Sequence, residues 1–229
     1  MKIIITFASI GMNHKTPTIL FEDNHLIAVN KPAGWLVQAD DTGDKPLSDW
    51  VKQYIKAKLN KPGDVYLGVL HRIDRPVSGI VLFARTSKAA ERMSKAIQLH
   101  QIKKYYIAEV KGTPTVLSGV LEHYIARNES NNTSKAHTRP VPNSKEAKLE
   151  YRVLEQKGKM SRVEILLHTG RHHQIRSQFA AIHCPIVGDL KYGYPTPNID
   201  ASINLHAYKV QFEHPVKKEM IEIISAPDF

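Results

Sequence analysis

Several stretches of the chain alternate hydrophobic and polar residues or hold short apolar clusters, which predicts β-strands. These stretches are residues 19–21, 26–29, 80–84, 104–110, 116–125, 149–153, 165–167, 205–212 and 220–224. Apolar residues recur at helical spacing over Leu47–Leu59 and again over residues 86–99, where Thr86 or Ser87 is suited to cap the helix. A third helix is predicted over Gln174–His183, ending before Pro185. Strands dominate without regular alternation with helices, so we expect an α+β fold with a large mixed, mostly antiparallel sheet.

The segments between these elements show no internal repeat and no clear domain boundary, so one large domain is expected for 229 residues. Residues 128–144 are rich in Asn, Ser, Thr and Pro, which predicts a mobile loop. At the N-terminus, Lys2 and the mostly apolar residues 3–12 weakly resemble a signal peptide without a clean cleavage site. We treat residues 1–17 as an extension in which either Met1 or Met12 starts the protein.

The distribution of charged residues along the chain indicates the kind of partner that the protein binds. The chain has 32 Lys and Arg against 22 Asp and Glu, a net charge of +10. Residues 61–160 alone hold 18 basic and 9 acidic side chains, so nearly all the excess lies in the middle of the chain. A concentrated basic surface favours a polyanionic partner, above all nucleic acid. The alternative is a basic surface that serves solubility alone.

Cysteine content and hydropathy indicate the environment of the protein. Cys184 is the single cysteine, which excludes an intrachain disulfide and a zinc site built from several cysteines. A chain without disulfides fits a reducing compartment, so we expect the cytoplasm. No apolar run reaches the ~20 residues that span a bilayer, and we expect no membrane association.

The densest polar group in the sequence is the segment His71–Arg75, in which Asp74 lies between Arg72 and Arg75. It forms a predicted loop directly before an apolar strand. A carboxylate in such a place can act as a nucleophile. A surface cluster of salt bridges has the same pattern, and spacing alone favours that alternative.

Two further segments are candidates for chemistry or binding. Residues 169–176 (TGRHHQIR) connect a strand to a helix, where arginines and histidines can meet phosphates. Metal binding by neighbouring histidines and Cys184 is a weaker alternative, because the spacing matches no zinc signature. Residues 103–106 (KKYY) combine basic and aromatic side chains, as on surfaces that stack unpaired bases, but an ordinary strand explains them equally well. No motif for a nucleotide cofactor is present.

Taken together, these segments resemble the motifs of the RluA-type pseudouridine synthases. The similar segments, in the order of the family, are residues 30–34 (NKPAG), 71–79 (HRIDRPVSG), 104–108 (KYYIA), 169–176 (TGRHHQIR), 185–193 (PIVGDLKYG), 205–207 (LHA) and 214–215 (HP). The resemblance covers about residues 18–225. It implies the pseudouridine synthase fold and one catalytic domain over residues 18–229, without the S4 RNA-binding domain of larger members.

The resemblance also implies an activity and its catalytic residues. Members of the family isomerise uridine in RNA to pseudouridine, which requires the target nucleotide to be flipped out of its stack. The essential aspartate of the family corresponds to Asp74. The arginine that pairs with this aspartate corresponds to Arg176, and the catalytic tyrosine, which stacks on the flipped base, corresponds to Tyr106.

Substrate contacts follow from the same resemblance. Arg72 corresponds to an arginine that fills the space left by the flipped base, and Ile175 would pack on the uracil. The other residues expected to contact RNA are Arg75, Lys104, Arg171 and His173. We expect structured RNA, ribosomal or transfer, as the partner, no metal or organic cofactor, no obligatory protein partner, and a monomer.

Some positions depart from the motifs of the family. Val77 and His172 each replace a common Thr, and Ser177-Gln178 replaces a typical Val-His. None of these removes a residue expected to do chemistry, so the departures concern the choice of substrate. A module that binds or folds RNA with the same fold but without catalysis is the alternative function.

Overall fold

The computed structural model describes residues 2–6, 16–60 and 62–229. Contacts within the chain group these residues into two compact units. The first unit contains the chain up to Ile102 and returns for Ala207–Asp228, and the second contains Lys103–His206 with Phe229. We describe each unit by itself.

Twelve strands and three α-helices are found in the described residues. In chain order they are β1 (Lys2–Thr6), β2 (Thr18–Glu22), β3 (Leu26–Lys31), α1 (Leu47–Lys58), β4 (Gly68–Val69), β5 (Ser78–Ala84), α2 (Ser87–Gln98), β6 (Lys103–Lys111), β7 (Ser118–Asn128), β8 (Thr133–His137), β9 (Lys145–Lys157), β10 (Met160–Leu167), α3 (Gln174–Ala181), β11 (Leu205–Glu213) and β12 (Met220–Ser225). A 3₁₀ helix covers Leu190–Tyr192.

In the first unit, the strand order is β2-β3-β5-β11, with β12 beside β11, β1 beside β12 and β4 beside β5. The pairs β2–β3, β3–β5 and β11–β12 are antiparallel, whereas β1 pairs with β12 in parallel. Helix α2 is capped by Thr86, whose Oγ1 accepts a hydrogen bond from the backbone N–H of Ala89 at 3.2 Å. Its apolar residues Ala89 and Met93 join the buried core of this sheet, because they alternate with exposed residues at helical spacing.

In the second unit, the strand order is β6-β10-β9-β7-β8, and all neighbours are antiparallel. Alternate residues of β9 and β10 are buried, such as Leu149, Tyr151, Val163 and Ile165, so one face of this sheet forms the core. Helix α3 lies against that core, where Phe179 packs edge-to-face on Tyr151 with ring centroids 5.7 Å apart.

The predicted α+β fold class with mostly antiparallel strands is confirmed, and all three predicted helices are present. Two expectations need correction. Residues 128–144, predicted as a loop, contain β8, which pairs with β7 to form a hairpin. The third helix ends at Ala181 rather than His183. Part of the extension at residues 1–17 is strand β1, and residues 7–15 and Met1 lie outside the described residues.

Candidate active site

The loop that carries Asp74 lies in the first unit, directly before β5. Both ends of this loop are fixed by hydrogen bonds. At its start, Nε2 of His71 accepts from the backbone N–H of Leu82 at 3.1 Å. Further on, the carbonyl of Asp74 accepts from the backbone N–H of Val77 at 3.0 Å, and the Val77 side chain is buried. Asp74 itself is half-buried, so the loop presents a carboxylate at the surface from a fixed backbone.

Gly79 explains why the motif ends in glycine. Its φ of +114° lies in the region that residues with side chains rarely adopt. A Cβ at this position would also overlap the backbone of Ala207. The first residues of β5 therefore approach β11 closely, and this approach fixes the end of the Asp74 loop.

Lys31, the last residue of β3, is a fully buried lysine with 0% of its surface exposed. Its Nζ donates to three backbone carbonyls, those of Trp35 at 2.9 Å, Pro32 at 3.0 Å and Arg75 at 3.2 Å. An ammonium group has three N–H donors, so these three acceptors satisfy it. Burial lowers the pKa of Lys31 to about 7, and the nearby Asp74 carboxylate opposes this shift.

The three bonds of Lys31 join the segment after β3 to the residue that follows Asp74. Two further hydrogen bonds reinforce this connection: the backbone N–H of Gly34 donates to the Arg75 carbonyl at 2.8 Å, and the side-chain Nε of Arg75 donates to the Gly34 carbonyl at 3.0 Å. We call this arrangement of Lys31, Pro32, Gly34, Trp35 and Arg75 the lysine clamp. The clamp holds the backbone next to Asp74.

Arg72 and Arg75 flank Asp74 and are both exposed. The guanidinium of Arg75 forms a 2.6 Å ion pair with Asp44, in which both side chains remain about half exposed to solvent. The structure thus leaves the two arginines at the surface on either side of Asp74, in a position where phosphates can reach them.

Tyr106 and Lys104 lie on β6 in the second unit. Tyr106 is 7% exposed and stands opposite Ile165 of β10, so its ring belongs to the buried face of the sheet. Lys104 is half-buried, which lowers the pKa of its ammonium group. Its Nζ lies beside Gly170, which brings Lys104 next to the turn that enters α3.

The turn over residues 169–174 is held by the Gln174 side chain. Its Oε1 accepts from the Thr169 hydroxyl at 2.8 Å and from the Arg171 N–H at 3.0 Å, while its Nε2 donates to the Lys148 carbonyl at 3.1 Å. Arg171 is exposed, and its Nε donates to the Glu146 carbonyl at 2.8 Å. These bonds fix the start of α3, where Ile175 and Arg176 follow directly.

Arg176 is 5% exposed and forms a buried, two-point ion pair with Asp189. Its Nε donates to Oδ2 at 2.7 Å and its Nη2 donates to Oδ1 at 2.8 Å. The Tyr192 ring lies 4.9 Å from the guanidinium carbon, a cation–π contact. Such a planar, two-point pair fixes both the position and the orientation of the arginine.

His173 lies at the start of α3 in a left-handed conformation, with φ 50° and ψ 30°. It is buried, and its Nδ1 is 2.8 Å from the Tyr192 hydroxyl. Burial, together with the nearby positive charge of Arg176, lowers the pKa of His173 to about 2. The imidazole is therefore neutral at neutral pH, which argues against a direct charged contact with RNA phosphates and for a role in holding the helix start.

The sequence-predicted residues thus fall into two groups. Asp74, Arg72 and Arg75 share one loop of the first unit, while Tyr106, Lys104, Arg171, His173, Ile175 and Arg176 belong to the second. The pairing of Asp74 with Arg176 stays a prediction.

Three residues of these arrangements were not assigned a role from the sequence. Lys31 and the pair of Asp189 and Tyr192 stand in segments 30–34 and 185–193, which matched family motifs. Their location in these motif segments was the one feature of the sequence that could have marked them as part of the site. Their roles depend on partners that are distant in sequence, such as the Arg75 carbonyl for Lys31.

Within the described parts of the chain, no group of three or more His, Cys, Asp or Glu residues is arranged to hold a metal ion. None of the helices in that part is long and apolar enough to cross a membrane.

Comparison with protein families gives a match to the RNA pseudouridylate synthase family over residues 25–181. Among curated proteins, the chain is 31% identical over 225 residues to "tRNA pseudouridine synthase C" of Pectobacterium carotovorum subsp. carotovorum, covering 90% of this chain and 57% of that protein. It is 32% identical over 209 residues to "Ribosomal large subunit pseudouridine synthase D" of Nitrosomonas europaea, covering 86% of this chain and 58% of that protein. The chain therefore spans a little over half the length of these two relatives.

A third relative is matched over most of its length. "tRNA pseudouridine synthase C" of Yersinia pestis is 31% identical over 232 residues, which cover 92% of this chain and 86% of that protein.

Two solved structures share the fold. "Human RNA Pseudouridylate Synthase Domain Containing 4" superimposes with a TM-score of 0.77 at 23% identity, covering 92% of this chain and 89% of that one. "Human RNA Pseudouridylate Synthase Domain Containing 1" gives a TM-score of 0.70 at 22% identity, covering 95% and 85%. The predicted resemblance is confirmed, since the family match extends over more than half of the sequence: this chain belongs to the RNA pseudouridylate synthase family.

Proposed function

We propose that this protein is an RNA pseudouridine synthase that isomerises uridines in ribosomal or transfer RNA, with Asp74 as its essential catalytic residue. The observation that carries the proposal is the Asp74 loop. A half-buried carboxylate is presented by a backbone that is fixed by the lysine clamp, and the loop lies inside the segment that matches the family. Fixed charges with little freedom to reorganise are what catalysis requires.

The reaction is an isomerisation. The N1–C1′ bond of the uridine breaks, the uracil turns, a C5–C1′ bond forms, and the proton on C5 is lost while N1 gains one. No oxidant, reductant or group donor is needed, so the proposal includes no cofactor and no metal. Cleavage with oxocarbenium character is helped by a fixed carboxylate, as in glycoside hydrolysis. Asp74 attacks the sugar or the base, or removes a sugar proton.

For the second unit we propose the roles that follow from the family resemblance. Tyr106 stacks on the flipped base and takes part in removing the C5 proton. Arg176 orients the catalytic aspartate, and the buried ion pair with Asp189 supports this role because it keeps the guanidinium charged and in place. Ile175, adjacent to Arg176 on α3, packs on the uracil.

The RNA backbone is met by basic residues near these side chains. Arg72 and Arg75 beside Asp74, and Lys104 and Arg171 beside the start of α3, are placed to contact phosphates. Arg72 also fills the space left by the flipped base, which offsets part of the cost of unstacking. His173 supports RNA binding indirectly, by holding the start of α3. Relatives are named for ribosomal and for transfer RNA, so both classes are included.

We further propose that residues 18–229 form the catalytic region, that the protein acts in the cytoplasm as a monomer, and that it needs no partner protein. The single cysteine, Cys184, is buried and unpaired with another cysteine, which fits a reducing compartment.

The test is to map pseudouridine across total RNA from a strain that lacks the gene, complemented with wild type or with Asp74→Asn. We expect one or more positions to lose pseudouridine on deletion and to regain it with wild type alone. Modification restored by Asp74→Asn would refute the proposed mechanism. A full set of unchanged positions would refute the proposed activity in that strain.

The alternative, an RNA-binding module without catalysis, is favoured by the net charge of +10 alone. The Asp74→Asn variant distinguishes catalysis from RNA binding alone. Asp74→Asn should bind RNA with wild-type affinity while modification is lost. Deletion phenotypes that Asp74→Asn rescues fully would favour the binding module.

A further inference from the structure

Tyr192 contacts three different parts of the second unit. Its hydroxyl oxygen accepts a hydrogen bond from the backbone N–H of Ser134 on β8 at 2.8 Å. The same hydroxyl is 2.8 Å from Nδ1 of His173 at the start of α3. Its ring faces the Arg176 guanidinium at 4.9 Å. One side chain thus joins the β7–β8 hairpin, the start of α3 and the proposed catalytic arginine.

The Tyr192 hydroxyl has one hydrogen to donate and two lone pairs with which to accept. Its oxygen accepts from the Ser134 N–H, and its contact with Nδ1 of His173 is a hydrogen bond whose direction depends on the tautomer of the imidazole. Burial lowers the pKa of His173, which favours the neutral imidazole in this contact. The two bonds therefore connect Ser134 to His173 through the hydroxyl of Tyr192.

Two further bonds fasten the same end of the hairpin. The Ser134 hydroxyl lies 2.8 Å from Nδ1 of His172, whose ring stacks on His173 with centroids 3.8 Å apart. Lys191, the neighbour of Tyr192, donates from Nζ to the Asn132 carbonyl at 3.3 Å. His172 is one of the positions where this chain departs from the family motif. The hairpin is therefore attached to the start of α3 partly by a residue that departs from the family motif.

Arg176 takes its position from the segment that holds the hairpin. The Asp189 carboxylate forms two hydrogen bonds with the Arg176 guanidinium, and the ring of Tyr192, three residues further along the chain, packs on the face of that guanidinium. A displacement of the 3₁₀ helix Leu190–Tyr192 would move both partners of the arginine together. Because Tyr192 is also hydrogen-bonded to the hairpin, the position of the hairpin and the orientation of Arg176 depend on the same side chain.

We propose that Tyr192 is a positioning residue that couples the β7–β8 hairpin to Arg176, with the Ser134–His172 contact fastening the hairpin on α3. The coupling to catalysis rests on the proposed function, which gives Arg176 its role. The hairpin and the segment after it also expose Arg127, Lys135 and Arg139, whose charges suit contact with RNA phosphates.

The experiment compares Tyr192→Phe with Tyr192→Leu in the full chain, with Tyr194→Phe as the matched control. Tyr192→Phe keeps the ring over Arg176 but removes both hydrogen bonds of the hydroxyl, whereas Tyr192→Leu also removes the ring. Tyr194→Phe makes the same chemical change two residues away. Hydrogen exchange of the free proteins should be faster over residues 129–137 in both Tyr192 variants, and unchanged in the control.

Arg176 is followed by its Nε–H resonance in ¹⁵N-labelled protein, assigned with Arg176→Lys. We expect this signal to shift in Tyr192→Phe and to broaden further in Tyr192→Leu. On an RNA that wild type modifies, kcat should fall about tenfold in Tyr192→Phe and further in Tyr192→Leu, in line with the loss of both hydrogen bonds of the hydroxyl and then of a cation–π contact, while KM changes less than twofold.

Ser134→Ala and His172→Ala test the fastening contact. Both remove the bond between Ser134 and His172, and His172→Ala also removes the ring that stacks on His173. Ser134→Ala should therefore add no further increase in hydrogen exchange over residues 129–137 when it is combined with His172→Ala. Additive effects would refute the contact as a fastening.

The measurements distinguish failure of this proposal from failure of the proposed function. An unchanged Arg176 signal in Tyr192→Phe overturns the positioning role whether or not the protein modifies RNA. A shifted signal with an active wild type and an unchanged kcat overturns the coupling to catalysis. If wild type modifies no RNA, the proposed function fails and the Arg176 signal alone decides the positioning role.

Discussion

The two regions that carry the proposed catalytic residues each hold a buried cation, but the cations are bound in opposite ways. Lys31 in the first unit is bonded to three backbone carbonyls and thereby fixes the chain beside Asp74. Arg176 in the second unit is itself fixed by side chains, the carboxylate of Asp189 and the ring of Tyr192. Lys31 thus holds backbone carbonyls in place, whereas Arg176 is held in place by neighbouring side chains.

This difference decides what a mutation leaves behind. Removing Lys31 leaves neutral carbonyls without their donor, which costs about 1–3 kcal/mol for a buried polar group. Removing Asp189 leaves a buried guanidinium without its counter-charge, which costs about 3–5 kcal/mol. Lysine can also give up its proton, whereas arginine stays charged in proteins. The region of Arg176 should therefore be the more sensitive to mutation, and the lysine clamp the more sensitive to pH.

The largest effect on the free energy of unfolding is expected for Asp189→Asn. The amide keeps the shape of the carboxylate but not its charge, so the free energy of unfolding should fall by about 3–5 kcal/mol. Urea denaturation followed by circular dichroism measures this. Asp64→Asn, an exposed position, is the matched control and should change stability little. A loss below about 1 kcal/mol in Asp189→Asn would contradict the view that this ion pair fixes Arg176.

A smaller loss is expected for Lys31→Met, which keeps the length of the side chain without its donors. The free energy of unfolding should fall by about 1–3 kcal/mol, because the carbonyls lose their donor while the burial of a charge is relieved. Since the backbone beside Asp74 is released, kcat should fall by up to about 100-fold. Urea denaturation and single-turnover modification of RNA measure the two effects. Wild-type kcat in this variant would show that the clamp does not position Asp74.

The pH dependence of stability gives a third comparison of wild type with Lys31→Met. Burial lowers the pKa of Lys31 from 10.5 to about 7, so between these values the unfolded chain holds a proton that the folded protein has released. Stability rises with pH wherever the unfolded state binds more protons. The free energy of unfolding of wild type relative to Lys31→Met should therefore rise from pH 7 upward, by at most about 1.4 kcal/mol per pH unit.

Denaturation of both proteins at pH 7, 8 and 9 checks this slope. All other ionisable groups are common to the two proteins, so their difference isolates Lys31. A difference that stays constant over this range would mean that Lys31 keeps its proton in the folded protein. The stability difference between wild type and Asp189→Asn should not show this slope, because the guanidinium of Arg176 does not titrate between pH 7 and 9.

Local patterns predicted most of the fold, because several strands and the helices bury one face and the central strands β3 and β5 contain continuous apolar runs. They failed where long-range pairing decides the structure. Strand β8 has a polar sequence, TSKAH, and forms because it pairs with β7 and attaches to α3 through Ser134. Strand β1 has an apolar sequence that resembled a leader peptide, and its parallel pairing with β12 joins opposite ends of the sequence.

The same reason limits what the sequence showed of the site. Asp74, Tyr106 and Arg176 follow from motif positions, because the resemblance carries their roles. Lys31 and Asp189 act through partners 44 and 13 residues away, and neither spacing corresponds to a local element. Their motifs could be recognised without revealing that one binds carbonyls and the other binds an arginine.

The smallest effect on stability is expected for Arg75→Ala, which separates the backbone of the clamp from its side chains. The clamp uses the carbonyl of Arg75, and alanine keeps that carbonyl. What is lost is the Nε–H bond to Gly34 and an ion pair with Asp44 in which both side chains are about half exposed, so stability should change by less than about 1 kcal/mol.

The proposed contact of Arg75 with phosphate gives this variant a second readout. Binding to an RNA that wild type modifies should weaken, and the slope of log K against log salt should fall by about 1 because one phosphate contact is lost. Titrations at several salt concentrations measure this slope. A loss of stability as large as that of Lys31→Met would mean that the side chain of Arg75, and not its carbonyl, holds the Asp74 loop. An unchanged slope would remove Arg75 from the RNA-binding surface and leave its carbonyl as its contribution to the site.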